Sequence, residues 1–386
     1  MSAVAHEKLK KYIIFYFKVN KTEFVPPTRY SVINKGKKFL LPFLHGLMVV
    51  FSVWHLLFQM KSLENILELT FSINFTIAGI QTIVTIFTFN EFSSKKLMKT
   101  LKYFDNIIVS KEDFIAKTRR IYLRKNLKLA WIFVRLIIYG LGFGCLIFPT
   151  VGLFQTNFTL PMYYSIPGIP ASSIFYKPVN CFGQYFLFHI LCLSIVSVDA
   201  FILIFIFYFR GEFYSIISVA THLSDETTIQ ANAVKILRTI YKAHRNILQE
   251  FFAIYDVLWH FYCQKFFGIC LYLCSSLFIF SKLTNSIIVG IFLIAVVLVQ
   301  LVVLSLPGQL IENCSNEFQQ TLYMSLWYKM PIRDQKNFLF LMVGAQRQIQ
   351  ARTLGIGKVS VYTLVQVICC SGVDSEEIFS FLNKNS

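Results

Sequence analysis

Long apolar blocks alternate with polar stretches along the chain. They fall at 39–59, 67–89, 129–148, 184–209, 262–280 and 286–306. Each is near the twenty or so residues that a helix needs to cross roughly 30 Å of hydrocarbon, so the pattern predicts six membrane-spanning helices. A shorter apolar run at 359–373 follows a Gly-containing break and predicts a seventh. The stretches 90–128 and 211–260 are polar and predicted to be helical. The link after the third block is rich in Pro, Gly and Ser (Pro149, Pro161, Pro167, Gly168, Pro170), which predicts a long loop. The aromatic run at 12–17 is too short to span. Flanked by lysines, it reads either as a segment lying on the membrane surface or as an ordinary packed helix. The expected fold is all-α, with seven transmembrane helices. Its segments are an N-terminal stretch, 1–38; six spans with helical extensions, 39–306; a polar anchor segment, 307–352; and a last helix with its tail, 353–386.

Charge orients this pattern. Thirty-one of the thirty-seven Lys and Arg fall in 1–38, 90–128, 210–265 and 308–352, all on one side of the predicted membrane. Lys61, Lys177, Lys282 and Lys384 lie on the other. The excess of basic residues belongs in the cytoplasm. The N-terminus is therefore expected inside and, after seven spans, the C-terminus outside. That is the reverse of a G-protein-coupled receptor. A net charge of +17 could suggest a nucleic-acid partner, but its placement in the loops of one membrane side argues against one. Hydrophobic residues make up 55% and charged residues 15%, with a mean hydropathy of +0.58. A soluble domain has about 25% charged residues.

Candidate chemistry is sparse. The sequence holds no H-E-x-x-H, G-x-S-x-G or P-loop, so no enzyme is expected. The nine Cys form no C-x-x-C pair, and Cys145, Cys192, Cys270 and Cys274 lie in apolar runs, so neither a disulfide framework, a metal site nor a cofactor is expected. No leading apolar signal segment and no internal repeat is visible, and the latter weakens a transporter reading. Arg135 lies about two turns into the third block and Asp199 mid-way along the fourth, while Glu68 sits at the outer edge of the second and can reach water. The depths of Arg135 and Asp199 suggest a pair, which would either fix helix register or constrain gating. The outer halves of spans two to six offer a pocket for a small molecule. Its candidates are Phe71, Asn74, Phe75, Tyr139, Phe143, Phe186, His189, Ile288 and Phe292, apolar walls with few polar groups. The sequon Asn157-Phe158-Thr159 lies in the predicted external loop, so Asn157 is the candidate glycosylation site. Asn20 and Asn313 begin sequons on the cytoplasmic side, and Asn74 begins one within a span.

The C-terminal region carries a more specific pattern. Gly308, Gln309, Ile311 and Glu312 leave the sixth span. Tyr323, Trp327, Tyr328 and Pro331 follow as Tyr-x₃-Trp-Tyr-x-Met-Pro. Gln346, Gly355, Ser360 and Thr363 complete the order. This run of about sixty residues resembles the C-terminal signature of insect odorant receptors. The resemblance implies an odorant-gated cation channel subunit in the plasma membrane of an olfactory neuron dendrite. It would work as a heterotetramer with the shared odorant co-receptor, in contact with lipid, with a volatile ligand in the outer pocket. It places a pore wall on Val361, Leu364 and Val365. Trp327 and Tyr328 would be either subunit-interface anchors or interfacial membrane residues. The tail departs from the family. The apolar run from Val359 to Val373 is fifteen residues, about 22 Å as a helix, and Asp374, Glu376 and Glu377 stand where the family is apolar. Either these carboxylates line the outer pore mouth and attract cations, or a different final exon has replaced the usual end. A gustatory receptor is the nearest alternative, but Tyr362, Thr363 and Gln366 echo its terminal motif only out of order.

Overall fold

The apolar blocks fold as helices that do not stop at the membrane's edge. The computed structural model describes residues 2–20, 36, 39–59, 66–88, 91–109, 115–282, 287–346, 349, 352–353, 357–358 and 362. The helices are α1 (Ser2–Asn20), α2 (Leu40–Trp54), α3 (Ile66–Thr88), α4 (Glu91–Val109), α5 (Ala116–Gln155), α6 (Tyr176–Ala220), α7 (Glu226–Lys282), α8 (Ile287–Tyr323) and α9 (Ile332–Gln346). A π-helical turn, His55–Gln59, extends α2. A two-residue antiparallel pair, β1 (Arg352–Thr353) and β2 (Gly357–Lys358), follows α9. Six of the helices are long and apolar enough to cross a membrane. The expected seventh span, its pore residues Val361, Leu364 and Val365, and the acidic tail lie outside the described residues.

Helix α7 shows why the spans run on. Between Glu226 and Lys282 its 57 residues include no Pro and one Gly, Gly268, so nothing breaks the backbone ladder over about 85 Å. Asp225 starts it in an extended conformation, with its carboxylate accepting the Thr228 N–H at 3.3 Å. Pro307 sits inside α8 and Pro149 inside α5 without ending either helix. The segment boundary expected at 306/307 therefore falls in mid-helix. The long link shrinks to a loop at 156–175.

Helix α6 is the centre of the bundle. From Val196 to Ala220 it is apolar on nearly every face, and nearly every residue is buried. A helix of that kind needs neighbours all round. Phe201 meets Phe17 of α1, Tyr208 stacks on Phe104 of α4 at 4.6 Å, Phe207 stacks on Phe133 of α5, and Phe209 meets Phe251 of α7. Several polar side chains in this core pair with one another. Arg119 of α5 donates to Glu212 of α6 at 3.0 Å, with both side chains buried. His6 of α1 bridges Tyr208 and Asp105 of α4, and Lys10 joins Asp105 at 2.9 Å. Burial pushes the Asp105 carboxyl up, but hydrogen bonds from Lys10 and His6 outweigh it and hold its pKa below the usual carboxylate range. The outer faces of the spans carry exposed apolar side chains, including Leu57, Phe58, Ile80, Leu136 and Val299.

Two outcomes follow from this core. Glu212→Leu should destabilise the protein by about 3–5 kcal/mol, because it removes the carboxylate partner of a buried guanidinium. The double variant Arg119→Met, Glu212→Leu should recover most of that loss in thermal unfolding of detergent-solubilised protein; equal losses would deny the pair its role. Burial between Phe213 and Phe318 lowers the His244 pKa to about 4, well below its value of 6.5 in an unfolded chain. On acidification the unfolded chain therefore takes up a proton that the folded one refuses. Stability should be fully present above about pH 6.5 and fall progressively towards about pH 4. His244→Leu should flatten that slope in a pH series of unfolding midpoints.

Candidate functional site

Helices α3, α5, α6, α7 and α8 splay apart away from the basic end and leave a cavity of about 220 Å³. The helical period selects its lining. On α3, Phe71, Asn74, Phe75 and Ala78 share one face at i, i+3, i+4 and i+7. On α6 the face is Phe188, Leu191, Cys192 and Ile195. Helix α5 contributes Gly140, Phe143, Gly144 and Phe148, and a Cβ added at either glycine would meet nothing within 4 Å. The missing side chains there are part of the space. Tyr272 and Ser276 of α7 and Val296, Val297 and Gln300 of α8 close the wall. Few polar groups face in, and Asn74 already accepts the Ser275 hydroxyl at 2.9 Å.

The loop at 156–175 folds back onto the same aromatic cluster. Tyr163 stacks on Phe71 with ring centroids 4.7 Å apart, and Tyr164 meets Phe75 edge-on. Tyr163 holds a left-handed backbone, φ +59°, which is costly for a bulky residue and is offset by that stack. Burial pushes its phenol up to about 12, so it stays neutral. Buried side chains tie the loop down. Gln184 accepts the Met162 N–H at 2.9 Å and donates to the Tyr164 carbonyl. Asn180 accepts the Ile166 N–H at 2.8 Å. His55 accepts the Ser165 N–H on Nδ1 at 3.2 Å and turns Nε2 to Glu68. That leaves Nε2 to carry the proton in the neutral ring.

The pocket candidates read from sequence divide by helix phase. Phe71, Asn74, Phe75 and Phe143 line the cavity. Tyr139, Phe186 and His189 are exposed on outer faces, and His189 bonds back to the Tyr185 carbonyl at 2.7 Å. One residue of helix turns a side chain by about 100°, so an aromatic at the right depth can still point to lipid. The side chains of Ile288 and Phe292 on α8 lie outside the described residues. The lining residues of α6, together with Tyr272 and Gln300, were legible only as apolar blocks. Counting the helical period along α6 from Phe188 would have found its four.

The expected pairing of Arg135 with Asp199 is corrected. The cation beside Asp199 is Lys265 of α7, and both are buried. Arg135 is exposed and lies over the Trp131 ring at 4.6 Å. Lys265 stands both at the end of the basic stretch 210–265 and just inside the fifth block, 262–280, and the continuous α7 carries it in beside α6. Trp327 and Tyr328 also part company. Trp327 stacks on Phe338 at 6.1 Å within the chain, and Tyr328 is exposed. Asn157 is exposed in the loop.

A family model described as 7tm Odorant receptor matches residues 61–372. A search of curated proteins returns no match. Among solved structures, the insect olfactory receptor OR5 from Machilis hrabei superposes with a TM-score of 0.71 at 14% identity, covering 95% of this chain and 97% of that one. The same receptor in complex with eugenol gives 0.73 at the same identity and coverage.

Gln184→Leu would leave the Met162 amide and the Tyr164 carbonyl without their buried partner, at about 1–3 kcal/mol each. Amide exchange across 162–166 should then speed up by roughly tenfold or more while that of α6 stays slow. Unchanged exchange in the loop would show that Gln184 does not hold it.

Proposed function

Because the chain belongs to the seven-transmembrane odorant receptor family, we propose that it is the ligand-tuning subunit of a heteromeric, odorant-gated, non-selective cation channel. Its six described apolar helices make it a multi-pass membrane protein, and its place is the plasma membrane. The observation that carries the reading is the apolar cavity between α3, α5, α6, α7 and α8, roofed by a tied loop. Its size and lining suit a small volatile. A ligand of about ten to fifteen heavy atoms, at roughly 0.3–1.5 kcal/mol per atom, reaches the ~8 kcal/mol of micromolar binding. A structurally similar receptor has been solved with eugenol, which supports that ligand class.

The partner is the shared co-receptor, in a heterotetramer. A run of exposed apolar side chains at the basic end supports a subunit contact there: Tyr323, Met324, Tyr328, Ile332, Phe340 and Val343. Tyr328 belongs to that face; Trp327 supports it from behind. In the membrane the basic end faces the cytoplasm, the roofing loop faces outward, and Asn157 carries the glycan.

The deciding experiment is whole-cell recording from cells expressing the chain, with and without the co-receptor, under a broad panel of volatiles. Inward current evoked only in the presence of the co-receptor is expected. Silence of this chain and of a version with a family-like C-terminus, both delivered to the surface, would overturn the reading. Current without the co-receptor would point to a gustatory-type channel, and substrate movement without gated current to a transporter. Gly144→Val fills open space in the cavity. It should raise the concentration needed for bulky agonists by about tenfold, with smaller ones affected less; equal effects on both would show that the cavity does not hold the ligand.

A further inference from the structure

The walls of the apolar cavity differ in how firmly they are shut. Above it, Met162, Tyr163, Tyr164 and Ser165 of the roofing loop are buried, with the two tyrosine rings laid on Phe71 and Phe75. Between α3 and α7, Ser275 donates its hydroxyl to Asn74 at 2.9 Å. Beneath, Gln81 and Gln264 clasp the same two helices. Gln81 Nε2 donates to the Gln264 carbonyl at 3.1 Å, and Gln264 Nε2 donates to the Gln81 carbonyl at 2.6 Å. Tyr272 donates its hydroxyl to Gln81 Oε1 at 3.0 Å. Gly268 makes the clasp possible, since a Cβ there would overlap the Gln81 amide. The α5 side is different. Phe148 holds the roof end of that helix, stacking on Phe188 of α6 and meeting Phe71 edge-on. Otherwise α5 packs along α6 and barely approaches α7 or α8 among the described residues. Of the residues that line the cavity, only Gly140 and Phe143 are exposed, and both stand on α5. Phe143 is 66% exposed although it borders the cavity.

What lies outside that opening follows from its depth. Gly140 and Phe143 fall in the roof-side half of the apolar block 129–148, and the exposed side chains of Leu136, Tyr139 and Leu146 flank them along α5. In a membrane-spanning segment such a face meets acyl chains. A route through the roof must break the hydrogen bonds that Gln184, Asn180 and His55 make to the loop. A route across α5 needs only a rotamer change of Phe143. The bilayer also supplies the ligand, because each methylene raises the concentration of an apolar solute in hydrocarbon over that in water by about fourfold. An ionised carboxylate or ammonium is kept out. We propose that the α5 side is the ligand's portal: neutral, lipid-soluble molecules dissolve in the leaflet beside the roofing loop and enter the cavity sideways, between Gly140 and the ring of Phe143. This rests on the cavity being the ligand site of the proposed receptor, but the portal can be tested by binding alone.

The route leaves the equilibrium constant untouched, so the test is kinetic. The probes are 4-fluorophenyl n-alkyl ethers from methyl to butyl, and fluorine NMR exchange gives their entry and release rates at the purified full chain in phosphatidylcholine nanodiscs. Entry per aqueous concentration should rise by about fourfold with each methylene. Gly140→Phe places a ring in the mouth, where a Cβ meets nothing within 4 Å. It should slow entry and release together by roughly tenfold or more, and change the equilibrium constant less than either rate. Gln184→Leu, which loosens the roof, should move both rates far less than Gly140→Phe does. Phe143→Ala should quicken entry, which a mere loss of affinity would not do, and it supplies the test if Gly140→Phe fails to fold. An entry rate that is flat along the series would overturn the proposal. So would rates that Gly140→Phe leaves alone and Gln184→Leu raises, or the lack of a bound signal for every probe. The expected rates without odour-evoked current in recordings with the co-receptor would keep the portal and remove the channel reading.

Discussion

The constraint on which the rest of the structure depends is the burial of α6. Its inner half is too apolar on every side to face water. It also holds Asp199 and Glu212, both buried, which cannot stand unpaired in an apolar interior. Both demands are met by surrounding it with α1, α4, α5, α7 and α8. Phenylalanine and tyrosine rings fill the contacts, and each carboxylate is answered by one basic residue from a neighbouring helix. Arg119 on α5 and Lys265 on α7 approach from different helices. The two pairs add a directional contact between each of these helices and α6. Whether they add net stability is a separate matter, because desolvation offsets much of the attraction.

The cavity is the other side of the same arrangement. Towards its Tyr176 end α6 loses its all-round cover, and Phe182 and Phe186 there are exposed. The helices part, and residues without bulk on α5 leave the space unfilled. Two kinds of interaction then finish the site. Aromatic stacking of Tyr163 and Tyr164 onto the α3 face closes it from above, with backbone groups of the loop satisfied by Gln184, Asn180 and His55. Beneath, the crossing of α3 and α7 at Gln81, Gln264 and Gly268 brings polar groups close to an otherwise apolar room.

Proline and glycine shaped the helix ends less than their usual effect would suggest. Pro149 and Pro307 lie within helices whose neighbours hold them in place, and each helix continues for at least a turn beyond. The continuous helices carry the basic residues of 116–128 and 235–245 well away from the apolar blocks. Hence the basic end is a helical body packed on its own core, with Leu9, Phe104, Ile236 and Phe318 inside it.

The sequence by itself determined the six described spans, the concentration of positive charge at one end, and the family pattern that begins at Gly308. Hydropathy and charge are sums over neighbouring residues, so they survive without knowledge of any partner. It also determined that Phe71, Asn74 and Phe75 share a helical face, because that follows from spacing alone. Only the tertiary structure decided that Asp199 pairs with Lys265 rather than Arg135, that Tyr139, Phe186 and His189 turn outward, and that Trp327 packs inward on Phe338. Each of these depends on the rotation of one helix about its axis and on the depth at which another passes it. Both quantities are set by contacts between segments far apart in the chain, and a local pattern carries neither.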